Sequence, residues 1–166
     1  DQYPLDEEGG ESMIWIGRVS PSTPKGLKEA IELSHLTQKR LLFSAAISDS
    51  GYYEKEIQSR IHPMTESVSI HSIEEKQQFL GKAKFALFPI QWEEPFGFVF
   101  VESMSCGTPI VAYSRGSIPE IVDDGVTGFI VDDTTSSDRW IIKKTGTEGM
   151  KEAIERMYAL SHDQYR

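Results

Sequence analysis

A chain of 166 residues is long enough for one compact domain and too short for two of ordinary size. At 39% hydrophobic and 26% charged it is an ordinary globular mixture, able to support a core without disulfide or metal staples. Acids outnumber Lys and Arg by 26 to 17, and the resulting net charge of -9 argues against nucleic-acid partners and against docking on an anionic membrane.

Residues 1 to 12 read as a polar lead-in or linker; Asp1 to Glu11 hold five acids and no apolar core, so they are no signal peptide. The chain lacks an initiator Met, so it is expected to be cut from something longer. Met13-Ile14-Trp15-Ile16, closed by Gly17, is a short apolar run of the kind that forms a strand buried on both faces. A Pro-rich loop, Ser20 to Pro24, leads into a helix over Gly26 to Thr37, with apolar residues at Leu27, Ala30, Ile31 and Leu33. Leu41 to Ala46 is a second strand, Tyr52 to Ile61 an amphipathic helix stopped by Pro63, and Ser67 to Ile70 a third strand. Ile73 to Ala83 is helical, with Glu74 and Glu75 in its first turn, where the helix dipole favours acids.

Phe85 to Pro89 is the fourth strand, Pro109 to Ala112 the fifth and Thr127 to Val131 a sixth. Phe96 to Val101 is rich in strand formers. Yet Pro95 suits a first helical turn, and Gly107-Thr108-Pro109 is a helix stop, so a helix is expected from about Pro95 to Cys106. Ile118 to Val122 is a short helix and Gly149 to Leu160 a longer one, followed by a tail, 161 to 166. Asp132 to Gly146 is polar around Trp140-Ile141-Ile142, which is either a small strand or a loop anchor. Strands alternate with helices throughout. The fold class is therefore α/β: a Rossmann-like, doubly wound parallel sheet of about six strands with helices on both faces. No apolar run approaches the roughly 20 residues of a membrane helix.

Cys106 is the only cysteine, which excludes an internal disulfide and a cysteine-rich zinc site, and fits a reducing, cytoplasmic setting. His35, His62, His71 and His162 show no metal-pair spacing, and no metal site is expected. The phosphate loops Gly-x-x-x-x-Gly-Lys-Ser/Thr and Gly-x-Gly-x-x-Gly are absent. In their place, the helix start at Phe96-Gly97-Phe98 follows the fourth strand, where a doubly wound sheet holds its ligands. Gly97 there serves either close approach of an anion to helix amides or simply a tight turn. Arg18 and Lys25, after the first strand, are either phosphate partners or solvated surface cations. Residues 93 to 133 hold eight acids against Arg115, so an anionic ligand there would need those two cations. Glu94 and Glu102, about 12 Å apart along a helix, exceed the spacing of glycosidase acid–base pairs. They either grip two ends of an elongated ligand or are a dipole acid and a solvated one; Glu102, on a helix apolar nearly all round, is expected to serve a ligand or a specific partner.

Glu94-Pro95-Phe96-Gly97 with Glu102-Ser103-Met104-Ser105-Cys106-Gly107-Thr108-Pro109-Ile110-Val111-Ala112 resembles the signature of retaining group 1 glycosyltransferases of the GT-B fold. Gly17-Arg18, Lys25-Gly26, Gly116-Ser117-Ile118-Pro119-Glu120 and Asp124-Gly125-Val126-Thr127-Gly128-Phe129 match in the same order. The resemblance covers about residues 13 to 131 and implies the C-terminal, donor-binding half of a GT-B enzyme, a single nucleotide-sugar-binding domain over 13 to 160. It implies that Arg18 and Lys25, beside Gly17, hold the donor diphosphate, with backbone amides from Gly97, Phe98 and Val99 next to Phe96. It implies Glu94 on the donor sugar, with Arg18, Lys25 and Glu94 as the catalytic set, and Glu102 on the ribose. Further implications are a front-face displacement with retention, a nucleotide-diphosphate sugar as the donor, no cofactor and no obligatory metal. The acceptor-binding N-terminal domain is absent from this chain and is its expected partner. Two alternatives stand beside this reading: a sugar-nucleotide epimerase of the same two-domain architecture, and a non-catalytic nucleotide-sugar-binding module.

Overall fold

The computed structural model describes residues 10–132, 142 and 144–161. Six strands, β1 (Met13–Val19), β2 (Leu41–Ile47), β3 (Thr65–Ser67), β4 (Phe85–Phe88), β5 (Ile110–Tyr113) and β6 (Gly128–Val131), form one sheet in the order β3-β2-β1-β4-β5-β6. Every pairing is parallel. The order reverses between β1 and β4, as in a doubly wound sheet. All residues of β4, β5 and β6 are buried, which is why their sequences are unbroken apolar runs and not alternating ones.

The helices are α1 (Leu27–Thr37), α2 (Ser50–Tyr52), α3 (Ile73–Gly81), α4 (Phe98–Ser105), α5 (Ile118–Ile121) and α6 (Gly146–Ala159). α1 packs against α6, whereas α3 packs against α4. Right-handed crossovers in the two directions of winding place these pairs on opposite faces of the sheet. The core runs through both layers, with Trp15, Phe43, Phe85, Phe88 and Phe100 among its largest fully buried side chains.

Several element boundaries differ from the sequence expectations. β1 is not closed by Gly17: it stays in register with β2 through Val19 opposite Ile47, and the Trp15 ring lies over Gly17 where a side chain would crowd it. The expected helix 52–61 begins earlier, because the Asp49 carboxylate accepts the Tyr52 amide, and α2 runs on as a wide π turn (Tyr53–Ile57) and a 3-10 turn (Gln58–Arg60). β3 is Thr65–Ser67, not Ser67 to Ile70: it pairs with Leu41–Phe43, and Val68 donates a final bond to the Phe43 carbonyl. α6 starts at Gly146, three residues early, where the Asp132 carboxylate accepts the Gly146 amide at 2.9 Å. Trp140 and Ile141, residues 1–9 of the lead-in and 162–166 of the tail lie outside the described residues.

Thr108 shows how α3 and α4 are tied together at their carboxyl ends. Its hydroxyl is fully buried and donates to the Leu80 carbonyl at the end of α3, 2.6 Å away. That carbonyl also accepts the Ala83 amide, so it keeps one partner if the hydroxyl is removed. Thr108→Val is therefore expected to cost only about 1 kcal/mol, the net worth of one hydrogen bond. A urea titration should show a lower midpoint with an unchanged slope.

Candidate functional site

A cavity of about 520 Å³ opens beyond the carboxyl ends of β1 and β4, at the point where the strand order reverses. Ile16 and Gly17 of β1 and Phe88 of β4 form part of its wall, and Phe100, fully buried, packs edge-on against Phe88 with ring centroids 5.1 Å apart. The apolar floor is thus a direct extension of the core.

Lys25 reaches this cavity because its loop is pinned at two points. The Trp15 indole donates to the Lys25 carbonyl at 3.0 Å. Gly26, next in sequence, caps α1 at φ 84° and lies so close to the Pro89 carbonyl that a Cβ would collide with it. The Lys25 ammonium then meets Glu94 Oε2 at 2.7 Å. The Glu94 side chain is only 14% exposed, so this pair is partly desolvated and worth more than a surface ion pair.

Glu94 does not lie on α4. The helix begins at Phe98, not near Pro95, so the 12 Å rise along one helix does not separate Glu94 from Glu102. The reason is local: Gly97 sits in the left-handed region at φ 71°, with the Phe100 ring filling the space a Cβ would need. The segment before it is held by the loop after β5 instead of by helical bonds. The Ser117 amide donates to the Glu94 carbonyl at 2.9 Å, the Ser117 hydroxyl to the Phe96 carbonyl at 2.7 Å, and the Gly116 amide to the Glu93 carboxylate. The motif Gly116-Ser117 thereby shapes the site from a distance in sequence.

Gly97, Phe98 and Val99 line the cavity at the start of α4, where the first amides of a helix have no intrahelical acceptor. Glu102 lies one turn further along and also faces the cavity. Its Oε2 accepts the ammonium of Lys76, on α3, at 2.6 Å. Lys76 was not singled out by its sequence; nothing local separates it from the neighbouring Lys82 or Lys84, and only the packing of α3 on α4 brings it in. Phe96 and Phe98 flank the glycine as an exposed edge-to-face pair, centroids 4.9 Å apart.

Arg18 stands apart. It is exposed near the end of β1 and borders a small adjoining hollow with Pro24 and Tyr52 rather than the main cavity. Lys25 borders both spaces. Cys106, at the end of α4, is fully buried; burial pushes its thiol above the ordinary range, and the nearby Glu102 charge adds to this. Among the described residues, no group of three or more His, Cys, Asp or Glu side chains converges to hold a metal ion. No helix among them is long and apolar enough to cross a membrane.

The winding of the sheet and the charged cavity at its switch point define a Rossmann-like α/β domain with a cleft between β1 and β4. The chain belongs to the glycosyl transferases group 1 family, whose model matches residues 4–156. It is 30% identical over 126 residues to D-inositol 3-phosphate glycosyltransferase of Mycolicibacterium smegmatis, covering 72% of this chain and 29% of that protein. It is 29% identical over 131 residues to alpha-maltose-1-phosphate synthase of the same organism, covering 72% of this chain and 32% of the relative. The chain thus spans about a third of the length of these curated relatives. Among solved structures, sucrose-phosphate synthase from Thermosynechococcus elongatus matches with TM-score 0.74 and 21% identity over 99% of this chain and 42% of the other. AviGT4, a glycosyltransferase involved in avilamycin A biosynthesis, matches with TM-score 0.65 and 24% identity over 96% of this chain and 52% of the other. Anabaena HepE, solved in complex with UDP and glucose, matches with TM-score 0.68 and 20% identity over 96% and 41%.

Proposed function

We propose that this chain is the donor-binding half of a retaining hexosyltransferase whose donor is a nucleotide-diphosphate sugar. The observation that carries this reading is the cavity itself: one cation and the amino end of α4 flank Glu94 at one side, and Glu102 stands at the other. Lys25 and the amides of Phe98 and Val99 hold the diphosphate, as helix amino ends hold anions. Arg18, across the shared wall of the adjoining hollow, turns to the outer phosphate oxygens. Glu102 accepts hydroxyls of the ribose and Glu94 hydroxyls of the sugar. As the glycosidic bond to the diphosphate breaks, charge grows on the leaving phosphate. Lys25 and the helix amides, joined by Arg18 once it has turned in, stabilise that charge more than they stabilise the ground state. The acceptor attacks from the same face, and the diphosphate oxygen takes its proton, so the configuration is retained. The acceptor site and the water-excluding wall come from a second domain, and the chain alone is expected to transfer no sugar.

Calorimetric titration of the chain with UDP, ADP and GDP, and with the corresponding glucose esters, tests this reading. Binding of at least one nucleoside diphosphate, undiminished by EDTA, is the expected result. Absence of binding for all of them would overturn the donor assignment. Binding abolished by the chelator would overturn only the claim that Lys25, Arg18 and helix amides suffice without a metal.

A further inference from the structure

Lys76 and Glu102 meet across two helices, and nothing on their own helices competes for either. The residues three and four positions from Lys76 are Ser72, Ile73, Phe79 and Leu80, and those from Glu102 are Phe98, Val99, Ser105 and Cys106. None of the eight carries a charge of the opposite sign, so no ion pair along α3 or α4 draws these side chains elsewhere. Glu75, the acid next to Lys76 in sequence, is engaged by the His71 amide at 2.7 Å. The ammonium of Lys76 thus reaches over to α4 and donates to Glu102 Oε2 at 2.6 Å, with the two side chains 32% and 28% exposed. Both residues line the cavity.

The helix that presents Lys76 is fixed at both ends. At its start the Ser72 hydroxyl accepts the Glu75 amide at 3.1 Å while the Glu75 carboxylate accepts the amide ahead of it, a reciprocal cap. At its finish the Thr108 hydroxyl holds the Leu80 carbonyl. A glutamate without a partner turns about three side-chain bonds and loses that freedom when it binds. Lys76 removes much of this freedom in advance. It occupies one site on Oε2, and an ionised carboxylate accepts at about four sites over its two oxygens. Room is left for two further donors.

We propose that Lys76 is a positioning residue, which holds the Glu102 carboxylate ready for the two vicinal hydroxyls of a ribose and so makes the cavity select ribonucleotides. This rests on the reading of the cavity as a nucleotide-sugar site. Lys76 acts through Glu102 and touches no ligand atom. Its part differs from that of Lys25. The diphosphate and Glu94 are both acceptors and compete for the Lys25 ammonium, whereas ribose hydroxyls and Lys76 are all donors and share one carboxylate.

The test is calorimetric titration of the chain with UDP, ADP and GDP, each beside its 2′,3′-dideoxy counterpart, at constant ionic strength. Wild type should bind at least one ribonucleotide more tightly than the matching dideoxy compound. Lys76→Met keeps the apolar stem and should weaken that ribonucleotide by roughly three- to tenfold, the cost of ordering one rotamer-rich side chain. The dideoxy compound should lose less than about twofold, since salt screens the remaining field of the lost charge. Its retained affinity also shows that the variant is folded. In a Glu102→Gln background, Lys76→Met should bring no further loss. An unchanged ribonucleotide affinity in Lys76→Met, equal losses on both compounds, or a full further loss in the Glu102→Gln background would overturn the proposal alone. Equal binding of ribo and dideoxy compounds by wild type would overturn the ribose role of Glu102 and this proposal with it, and no binding of any nucleotide would overturn the donor reading itself.

Discussion

Glu102→Gln is expected to weaken binding of a bare nucleoside diphosphate and of its sugar ester by the same factor, whereas Glu94→Gln leaves the bare nucleotide bound no more weakly and weakens only the ester. On the proposed reading Glu102 meets the ribose and Glu94 the sugar. Glu102 is on the second turn of α4 and is held by Lys76 from α3, whereas Glu94 precedes Gly97 and is held by Lys25. Each substitution removes one charge-assisted hydrogen bond worth about 1.5 to 3 kcal/mol, a change of roughly ten- to a hundredfold in affinity. The measurement is a pair of calorimetric titrations for each variant, with the complete enzyme as the preferred sample for the sugar-bearing donor. Equal losses on both ligands for Glu94→Gln, or no loss for Glu102→Gln, would reverse the direction in which the ligand lies along the cavity.

Phe100→Ala should be among the most damaging single changes in stability at the residues of the cavity. Its side chain is fully buried, stacks edge-on against Phe88 and fills the space beside Gly97. Truncation leaves a void beneath α4 and costs about 3 to 5 kcal/mol. That is a large share of a typical stability of about 5 to 15 kcal/mol. Phe98, two residues earlier, is 76% exposed, and Phe98→Ala should change stability by no more than about 0.5 kcal/mol. Denaturant titrations of the two variants side by side check the contrast; similar losses for both would mean that the start of α4 is packed differently.

The order of strands and helices was legible in the sequence because parallel strands buried on both faces are unbroken apolar runs, as Phe85–Phe88 and Gly128–Val131 are. The helix at Phe98–Ser105 was legible despite its strand-forming residues, because Gly107-Thr108-Pro109 stops it and the alternation of elements demands it. Its first residue was not. Pro95 favours a helix start, but hydrogen bonds from Gly116 and Ser117, about twenty residues away in sequence, override that preference. The same limit hid Lys76, whose contact with Glu102 depends on α3 packing against α4. Arg18 and Lys25, close in sequence, read as one pair, yet extension of β1 through Val19 leaves Arg18 exposed outside the main cavity while Trp15 and Gly26 carry Lys25 into it. β3 was displaced because an edge strand is set by its single partner more than by its own apolar residues.

On the proposed reading, the Lys25–Glu94 contact at 2.7 Å bears on turnover as well as on recognition. The diphosphate and the Glu94 carboxylate then compete for one ammonium group. Glu94, tethered beside it, is present at an effective concentration that a dissolved nucleotide reaches only when abundant. After transfer, the spent nucleotide has lost the sugar that engaged Glu94, and that carboxylate is again at liberty to reclaim Lys25. The empty state is thus a built-in displacer of product: it moderates donor affinity and, in exchange, shortens the time that the leaving nucleotide occupies the enzyme between cycles.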